Sequence, residues 1–164
     1  MKDDLQADRF NTLDACHQQI QEHLTELSDL LDRLDADSDS AHCRQKAKTI
    51  EAFFSETART HHAEEERNVF PDLLLSEKPE VVQAVQTLKQ DHGWIEQNWL
   101  ELAPMLRAIA QGEDWPDMAE LKHNTEVFLN LCRDHIVLEE TLIYPEAKAR
   151  LAQELASRAK RLVH

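Results

Sequence analysis

Turn-forming residues are scarce in this chain, which has two glycines and five prolines among 164 residues, and aromatic residues make up only 5%. Leucine, alanine, glutamate and glutamine are frequent instead, and all four favour helices. The composition therefore excludes a strand-rich fold and predicts an all-α protein. A chain of this length suits one domain with a continuous core.

Cysteine is also rare, and long hydrophobic runs are missing. Cys16, Cys43 and Cys132 are odd in number and lack CxxC spacing, so they indicate neither a disulfide framework nor a zinc knuckle. No apolar run approaches the roughly 20 residues of a membrane span, and residues 1–6 lack the basic-then-apolar order of a signal peptide. We therefore expect a soluble, cytoplasmic protein with reduced thiols.

Basic residues are outnumbered, because 18 Lys and Arg stand against 32 Asp and Glu, which gives a formal net charge of −14. Such a charge repels polyanions. Neither nucleic acid nor an anionic membrane is therefore an expected partner.

Core-type residues recur in steps of three and four along four segments, as in the inward-facing stripes of bundle helices. The first stripe contains Leu13, His17, Ile20, Leu24, Leu27, Leu31 and Leu34, and the third contains Val85, Leu88, His92, Ile95, Trp99, Leu102, Leu106 and Ile109. The second contains Ala47, Ile50, Phe54, Thr57, His61, Glu65 and Asn68, and the fourth contains Leu121, Phe128, Cys132, His135, Glu139 and Leu142.

These stripes and the short polar links between them predict an up-down-up-down four-helix bundle with an additional C-terminal helix. We expect an N-terminal arm over residues 1–10 and the bundle over residues 11–145, with the first helix starting near Asn11. Residues 146–164 are predicted to form a helix that packs on the bundle. This last segment is either a fifth helix or a bent continuation of the fourth beyond Pro145.

One motif occurs twice. Residues 61–71 read HHAEEERNVFP and residues 135–145 read HIVLEETLIYP, so both contain His, three residues, Glu, Glu, three residues, an aromatic residue and Pro. The i, i+4 spacing of His and the first Glu places both side chains on one face of a helix, about one turn apart. This is the spacing of metal ligands.

Two further histidines complete a twofold internal repeat. His61 and His135 are 74 positions apart, and His17 and His92 are 75 positions apart in similar contexts, CHQQI and DHGWI. The first two helices therefore resemble the last two. In an up-down-up-down bundle all four inward stripes can meet at one level, where we expect the four histidines to form a single site.

Four imidazoles and two carboxylates at core positions indicate a cation, because an unpaired buried charge costs several kcal/mol. The set is His17, His61, Glu65, His92, His135 and Glu139. Nitrogen and oxygen donors suit zinc, iron, manganese or copper, and six donors are too many for one tetrahedral zinc. They suit two octahedral ions that share bridging carboxylates. The alternative is a network of salt bridges among these side chains without a metal.

The order His, His-x3-Glu, His, His-x3-Glu on four helices resembles the hemerythrin-like family, also called the HHE cation-binding domain, over nearly all of residues 13–145. The resemblance implies a four-helix bundle around a non-haem centre of two iron ions. In that arrangement His17, His61, His92 and His135 would be terminal ligands, and Glu65 and Glu139 would bridge the ions.

The chain departs from the oxygen-carrying members, which have two histidines one turn apart on the third helix. Here the residue four positions after His92 is Glu96, which is either an additional ligand or part of a solvated helix face. His62 and Glu66 form a second i, i+4 pair, but the fourth helix repeats only the register of His61. We therefore do not assign His62 as a ligand. Tyr144 and Phe70 are expected to cover one end of the core, where the tyrosine could donate a hydrogen bond at the site.

The remaining histidines, His23, His42, His123 and His164, lie off the stripes or in loops and are predicted to be at the surface. Cys16 and Cys132 flank the site in sequence and are interpreted as small packing residues. A ferritin-like di-iron site needs Glu-x-x-His on two helices. Because this pattern occurs once, at Glu120, a ferritin-like site is not expected.

Three functions are compatible with such a site. The first is a di-iron protein that binds dioxygen or a related small ligand, for oxygen binding or sensing. The second is a di-iron enzyme that acts on peroxide or nitric oxide, or in iron-centre repair. The third is a metal-responsive interaction module, whose output would need a separate protein partner.

Overall fold

A computed structural model describes residues 2–36, 41–112 and 117–163, with side chains described over 9–34, 41–112 and 117–162. The helices are α1 (Lys2–Ala36), α2 (Ala41–Ala52), α3 (Ala58–Asn68), α4 (Phe70–Leu73), α5 (Pro79–Gln111), α6 (Met118–Leu138) and α7 (Tyr144–Val163). A first π-turn (Phe53–Thr57) joins α2 to α3, and a second π-turn (Glu139–Ile143) joins α6 to α7. These described ranges contain no strand, which confirms the predicted all-α class.

Four long helical segments form the bundle: α1, α2 with α3, α5, and α6 with α7. The segment α2 packs against α1 and α5, and α6 packs against α5 and α1, so each segment contacts those before and after it in the chain. This neighbour order is the one that short connections impose on consecutive antiparallel helices. The helical bundle predicted from the stripes is therefore confirmed.

The inward stripes of α1 and α5 are buried at every predicted position, from Leu13 to Leu34 and from Val85 to Ile109. The second stripe is buried except at Asn68, which is half-buried, and at Thr57, which is exposed while the neighbouring Ala58 is only 4% exposed. The first π-turn explains this difference, since a π-turn inserts one residue into an α-helix and shifts the face that follows. The prediction that Thr57 faces inward was wrong for this reason.

The first helix begins earlier than predicted, at Lys2 rather than near Asn11. No glycine or proline interrupts the chain between residues 1 and 36, so nothing local ends the helix. Two contacts also anchor the added turns, because Arg9 Nε lies 3.3 Å from Glu64 Oε1 and Phe10 packs against buried apolar residues. Asn11 is therefore an exposed position within α1 rather than a cap.

The predicted C-terminal helix is present as α7, which contains Pro145 in its first turn and follows α6 through the second π-turn, so it continues the fourth helix of the bundle. Tyr144 and Ala147 are buried, and Lys148 Nζ lies 2.9 Å from Asp14 Oδ2 on α1. Near the far end of α7, Leu162 is 87% exposed. No helix in the described part of the chain combines the length and apolar character that crossing a lipid bilayer requires.

Two apolar clusters occupy the bundle, one on each side of a polar layer. The large core includes Ile20, Phe54, Ala58, Ile95, Trp99, Phe128, Cys132 and Ile136, and the small core includes Leu13, Val69, Phe70, Leu88, Ile143 and Tyr144. On α1 the chain passes from Leu13 through His17 to Ile20, and on α5 it passes from Leu88 through His92 to Ile95. The bundle thus carries its polar side chains at one level.

Local residues explain the two ends of α5 and the start of α6. Pro79 occupies the first turn of α5, and Gly112 ends that helix with φ of 68°, a left-handed conformation that glycine adopts without strain. Asp117 caps α6, because its Oδ1 accepts hydrogen bonds from the backbone N–H groups of Ala119 at 2.8 Å and Glu120 at 3.2 Å. These bonds satisfy two of the helix donors that have no partner within the helix.

We expect Asp117→Ala to lower the free energy of unfolding by about 1 kcal/mol, because the cap is removed while its donors remain. Chemical denaturation measures this change. Asp117→Asn is the matched control, since the amide oxygen can accept the same bonds, and an equal loss in both variants would contradict the capping argument.

Candidate metal centre

The polar layer contains the six residues that the sequence singled out. Glu65 and Glu139 are fully buried at 0% exposure, and His17, His61, His92 and His135 are between 1% and 7% exposed. Each helical segment of the bundle contributes at least one of them, because the inward stripe of each segment crosses this level. The twofold repeat in the sequence therefore corresponds to a single cluster in space.

Two groups of donor atoms lie close enough together to hold a metal ion. The first position consists of His17, His61, Glu65 and Glu139, and the second consists of His62, Glu65, His92 and His135. Within each group the donor atoms lie within 4.8 Å of one another. Glu65 belongs to both groups, which is the property required of a bridging carboxylate.

The two glutamates span the two positions. Glu65 Oε1 lies 3.0 Å from His61 Nε2 and 3.7 Å from His92 Nε2. Glu139 Oε2 lies 3.4 Å from His17 Nε2, and Glu139 Oε1 is in close contact with His135 Nε2. Each carboxylate therefore lies between one histidine of the first position and one of the second.

Three of the four carboxylate oxygens lack the hydrogen bonds that buried anions need. Oε1 of Glu65 and both oxygens of Glu139 accept no hydrogen bond of normal geometry from the described residues. A buried polar atom without a partner costs about 1–3 kcal/mol, and more when it is charged. Cations between these oxygens and the imidazoles would remove that cost, so the residues present fit a metal centre.

The histidines differ in protonation. Burial lowers the pKa of His17 and His92, and it lowers the pKa of His62 and His135 further, helped by the neighbouring imidazoles. These four side chains are neutral at pH 7 and can bind metals. Burial also acts to lower the pKa of His61, but Cys16 and Glu65 outweigh it and raise that pKa to about 9.

Acidic residues contact the outer nitrogens of two of the histidines. Glu66 Oε1 lies 3.3 Å from His92 Nδ1, and Glu140 Oε1 lies 3.4 Å from His17 Nδ1. Each comes from the opposite half of the repeat, and each directly follows Glu65 or Glu139 in sequence. Such contacts hold an imidazole in place and make it a stronger donor. The second Glu of each motif copy was the sequence signal for these contacts, which the sequence analysis did not predict.

Glu96 lies in neither group of donor atoms. Its Oε2 accepts a hydrogen bond from Arg59 Nε at 3.1 Å, and its side chain is 41% exposed. Of the two alternatives for this residue, the solvated helix face agrees with its placement. The ion pair links α3 to α5 beside the metal centre.

His62 lies within the second group, although the repeat register argued against it. The imidazole of His23 is half-buried and stacks on Phe53 with ring centroids 3.8 Å apart, away from the centre. His42 and His123 are exposed as predicted, and His164 lies outside the described residues. The repeat did not predict His62 as a ligand because it directly follows His61, and two neighbouring residues on an ideal helix point about 100° apart.

Tyr144 reaches the centre from the side of the small core. Its hydroxyl donates a hydrogen bond to Glu65 Oε2 at 3.2 Å and lies 3.0 Å from His17 Nε2. The second π-turn places it there, since the N–H of Tyr144 bonds to the carbonyl of Glu139 five residues earlier. In a π-turn the i+5 residue lies about one turn further on the same face. Phe70, its counterpart in the repeat, stacks on His92 at 5.6 Å.

A cavity of about 20 Å³ lies between the centre and the large core. Its polar wall includes His17, His61, His62, His135 and Glu139, and its apolar wall includes Phe54, Ile95, Trp99 and Phe128. About 10–15 Å³ measured in this way is enough for one water molecule. The space therefore suits a ligand of two or three atoms.

We expect Glu139→Gln to abolish full metal loading and yet to raise the free energy of unfolding of the metal-free protein by about 1 kcal/mol or more, because a buried charge without hydrogen-bond donors is removed. Metal content and denaturation in the presence of a chelator measure the two effects. Glu126→Gln, on the exposed face of α6, is the matched control. A loss of metal-free stability in Glu139→Gln would contradict this account.

The metal-free protein is expected to be most stable near neutral pH. The lowered pKa values of four histidines mean that the unfolded chain binds more protons, so stability falls as the pH drops below about 6.5. The raised pKa of His61 gives stability that is complete below about 6.5 and is lost as the pH rises through about 9. Urea unfolding across this range tests both pH effects. In His61→Gln, the free energy of unfolding should fall less at alkaline pH, and its fall below about pH 6.5 should be unchanged.

Comparisons with known proteins agree with this geometry. A protein of Haemophilus influenzae, described only as uncharacterized, is 29% identical over 128 residues, which cover 78% of this chain and 72% of that protein. Residues 8–147, which include every residue of the two donor groups, match the hemerythrin HHE cation binding domain. The chain therefore belongs to the hemerythrin HHE cation-binding domain family.

Proposed function

We propose that this protein binds two iron ions and uses them to bind dioxygen or a related small ligand, for oxygen binding or sensing. In this proposal His17 and His61 bind the ion at the first position, His92 and His135 bind the ion at the second, and Glu65 and Glu139 bridge them. The observation that carries it is the pair of buried carboxylates, three of whose four oxygens accept no hydrogen bond from the described residues, set between four imidazoles and beside a cavity of about 20 Å³.

The donor set favours iron over the other cations that nitrogen and oxygen can bind. A structural zinc site is closed by four ligands, whereas this layer supplies six donors to two adjacent positions. Calcium prefers oxygen alone, and copper(I) prefers sulfur. Mixed imidazole and carboxylate donors with open positions are typical of non-haem iron.

The cavity supports a small ligand over an organic substrate. A volume of about 20 Å³ admits a molecule of two or three atoms and is too small for an organic substrate. Trp99 is held in the apolar wall by a hydrogen bond from its Nε1 to Ser55 Oγ at 3.0 Å.

The chain's own residues have distinct tasks in this proposal. Iron would supply the electrons for reversible ligand binding. Glu66 and Glu140 hold His92 and His17 in orientation through their outer nitrogens. Tyr144 places a hydroxyl against the first position, where it can share its proton with an anionic neighbour, as it already does with Glu65.

Tyr144 also favours the second candidate, an enzyme that acts on peroxide or nitric oxide. Its buried hydroxyl, hydrogen-bonded to Glu65, is a proton source at the centre, which reduction of peroxide requires and reversible ligand binding does not. Because it lies on the side of the small core, its proton would reach a ligand in the cavity through Glu65. The two candidates share the metal centre and differ in whether the ligand leaves unchanged.

Metal analysis tests the centre itself. Protein purified in air, or loaded anaerobically with ferrous iron, is expected to hold about two irons per chain. His61→Ala and Glu139→Ala should each lower this content, because each removes a donor at a shared site. His42→Ala, which changes an exposed imidazole, should not. Stoichiometric zinc with no uptake of iron would reject the proposal.

Gas binding separates the candidates. Oxygen added to the anaerobically reduced protein is expected to produce a ligand-to-iron charge-transfer band that disappears when oxygen is removed. Immediate oxidation that does not reverse would reject oxygen carriage. Consumption of added peroxide over many cycles, with loss of that turnover in Tyr144→Phe, would support the enzyme instead.

The cavity's size can be tested by filling it. Ala58 is 4% exposed and lines the cavity, so we expect Ala58→Val to weaken binding of nitric oxide to the ferrous protein at least about 10-fold while iron content stays unchanged. Ala47→Val is the matched control, because Ala47 is equally buried in the large core but does not line the cavity. Equal nitric oxide affinity in both variants would exclude this cavity as the ligand site.

A further inference from the structure

The twofold repeat is broken at a position next to the metal centre. His61 corresponds to His135, so the residue that follows each should correspond as well, yet His62 is matched by Ile136. Ile136 is an apolar residue of the large core, 4% exposed. The second half of the repeat thus has a packing residue where the first half has an imidazole.

The imidazole of His62 faces the second position. Its ring stacks on that of His92 with centroids 4.2 Å apart and planes 25° apart, and its centroid is 5.7 Å from that of His135. One ring nitrogen lies within 4.8 Å of the donor atoms of Glu65, His92 and His135. His62 also forms part of the cavity wall.

The ring contacts of His62 within the described ranges are all with other histidines of the centre, His61, His92 and His135. Since one of its ring nitrogens is also within 4.8 Å of the donor atoms of the second position, the side chain can offer that nitrogen to the metal layer.

We propose that His62 is a third imidazole ligand at the second metal position, beside His92 and His135. This inference rests on the proposed function, since it adds a ligand to the same centre. The second ion then has three imidazoles and the two shared carboxylates, whereas the first has two imidazoles and the same carboxylates. The more open position is the first.

The two departures from the repeat, His62 in place of a second isoleucine and Tyr144 in place of a second phenylalanine, lie on opposite sides of the centre. His62 lines the cavity on the side of the large core. Tyr144 approaches the first position from the small core, with its hydroxyl 3.0 Å from His17 Nε2.

The test is His62→Phe, which keeps an aromatic ring to stack on His92 and removes both nitrogens. Full-length protein is titrated anaerobically with ferrous iron, and X-ray absorption counts imidazole donors around the metal. We expect wild-type protein to bind two irons, and His62→Phe to bind one with wild-type affinity and the other at least about 10-fold more weakly. The imidazole count should fall by one for each pair of irons.

The control is His23→Phe, the same exchange at a half-buried histidine that stacks on Phe53 outside the centre. It should leave both irons and the imidazole count unchanged. His62→Gln serves as a second variant, and the fold of each is verified by circular dichroism. Two irons with wild-type affinity and an unchanged imidazole count in the folded variants would overturn the role of His62 alone, whereas failure of the wild-type protein to bind iron would overturn the proposed function with it.

Discussion

Burial of Glu65 and Glu139 is the constraint on which the rest of the structure depends. Both side chains are fully buried, and three of their four oxygens accept no hydrogen bond of normal geometry from the described residues. Two anions in such surroundings oppose folding unless positive charge compensates them. Cations that bind this layer in the folded state would therefore stabilise the fold.

The layer also divides the interior. The large core and the small core lie on its two sides, so neither is continuous through the bundle. The two cores hold the ligand side chains at one level, because each helix is fixed by apolar packing on both sides of its histidine. The large core in addition supplies the aromatic wall of the cavity, so the same packing that fixes the centre sets the size of the cavity.

The two π-turns change which side chains of their helices face the interior of the bundle. The first lies one turn before His61 and shifts the buried face from Thr57 to Ala58, which becomes part of the cavity wall. The second begins at Glu139 and brings Tyr144 onto the face of that glutamate. Both occur next to residues of the proposed centre, where π-turns are frequent. Their effect is to break a symmetric repeat into two chemically different halves.

The sequence by itself determined the fold class, the inward stripes, and the cluster of four histidines and two glutamates, because helical spacing and an internal repeat are properties of order along the chain. Their roles as ligands are still a proposal. Only the tertiary structure decided that α1 begins at Lys2, that Glu96 pairs with Arg59, and that His62 faces the second position. Spacing gives directions on an ideal helix, whereas these outcomes depend on contacts and distances between side chains of different helices.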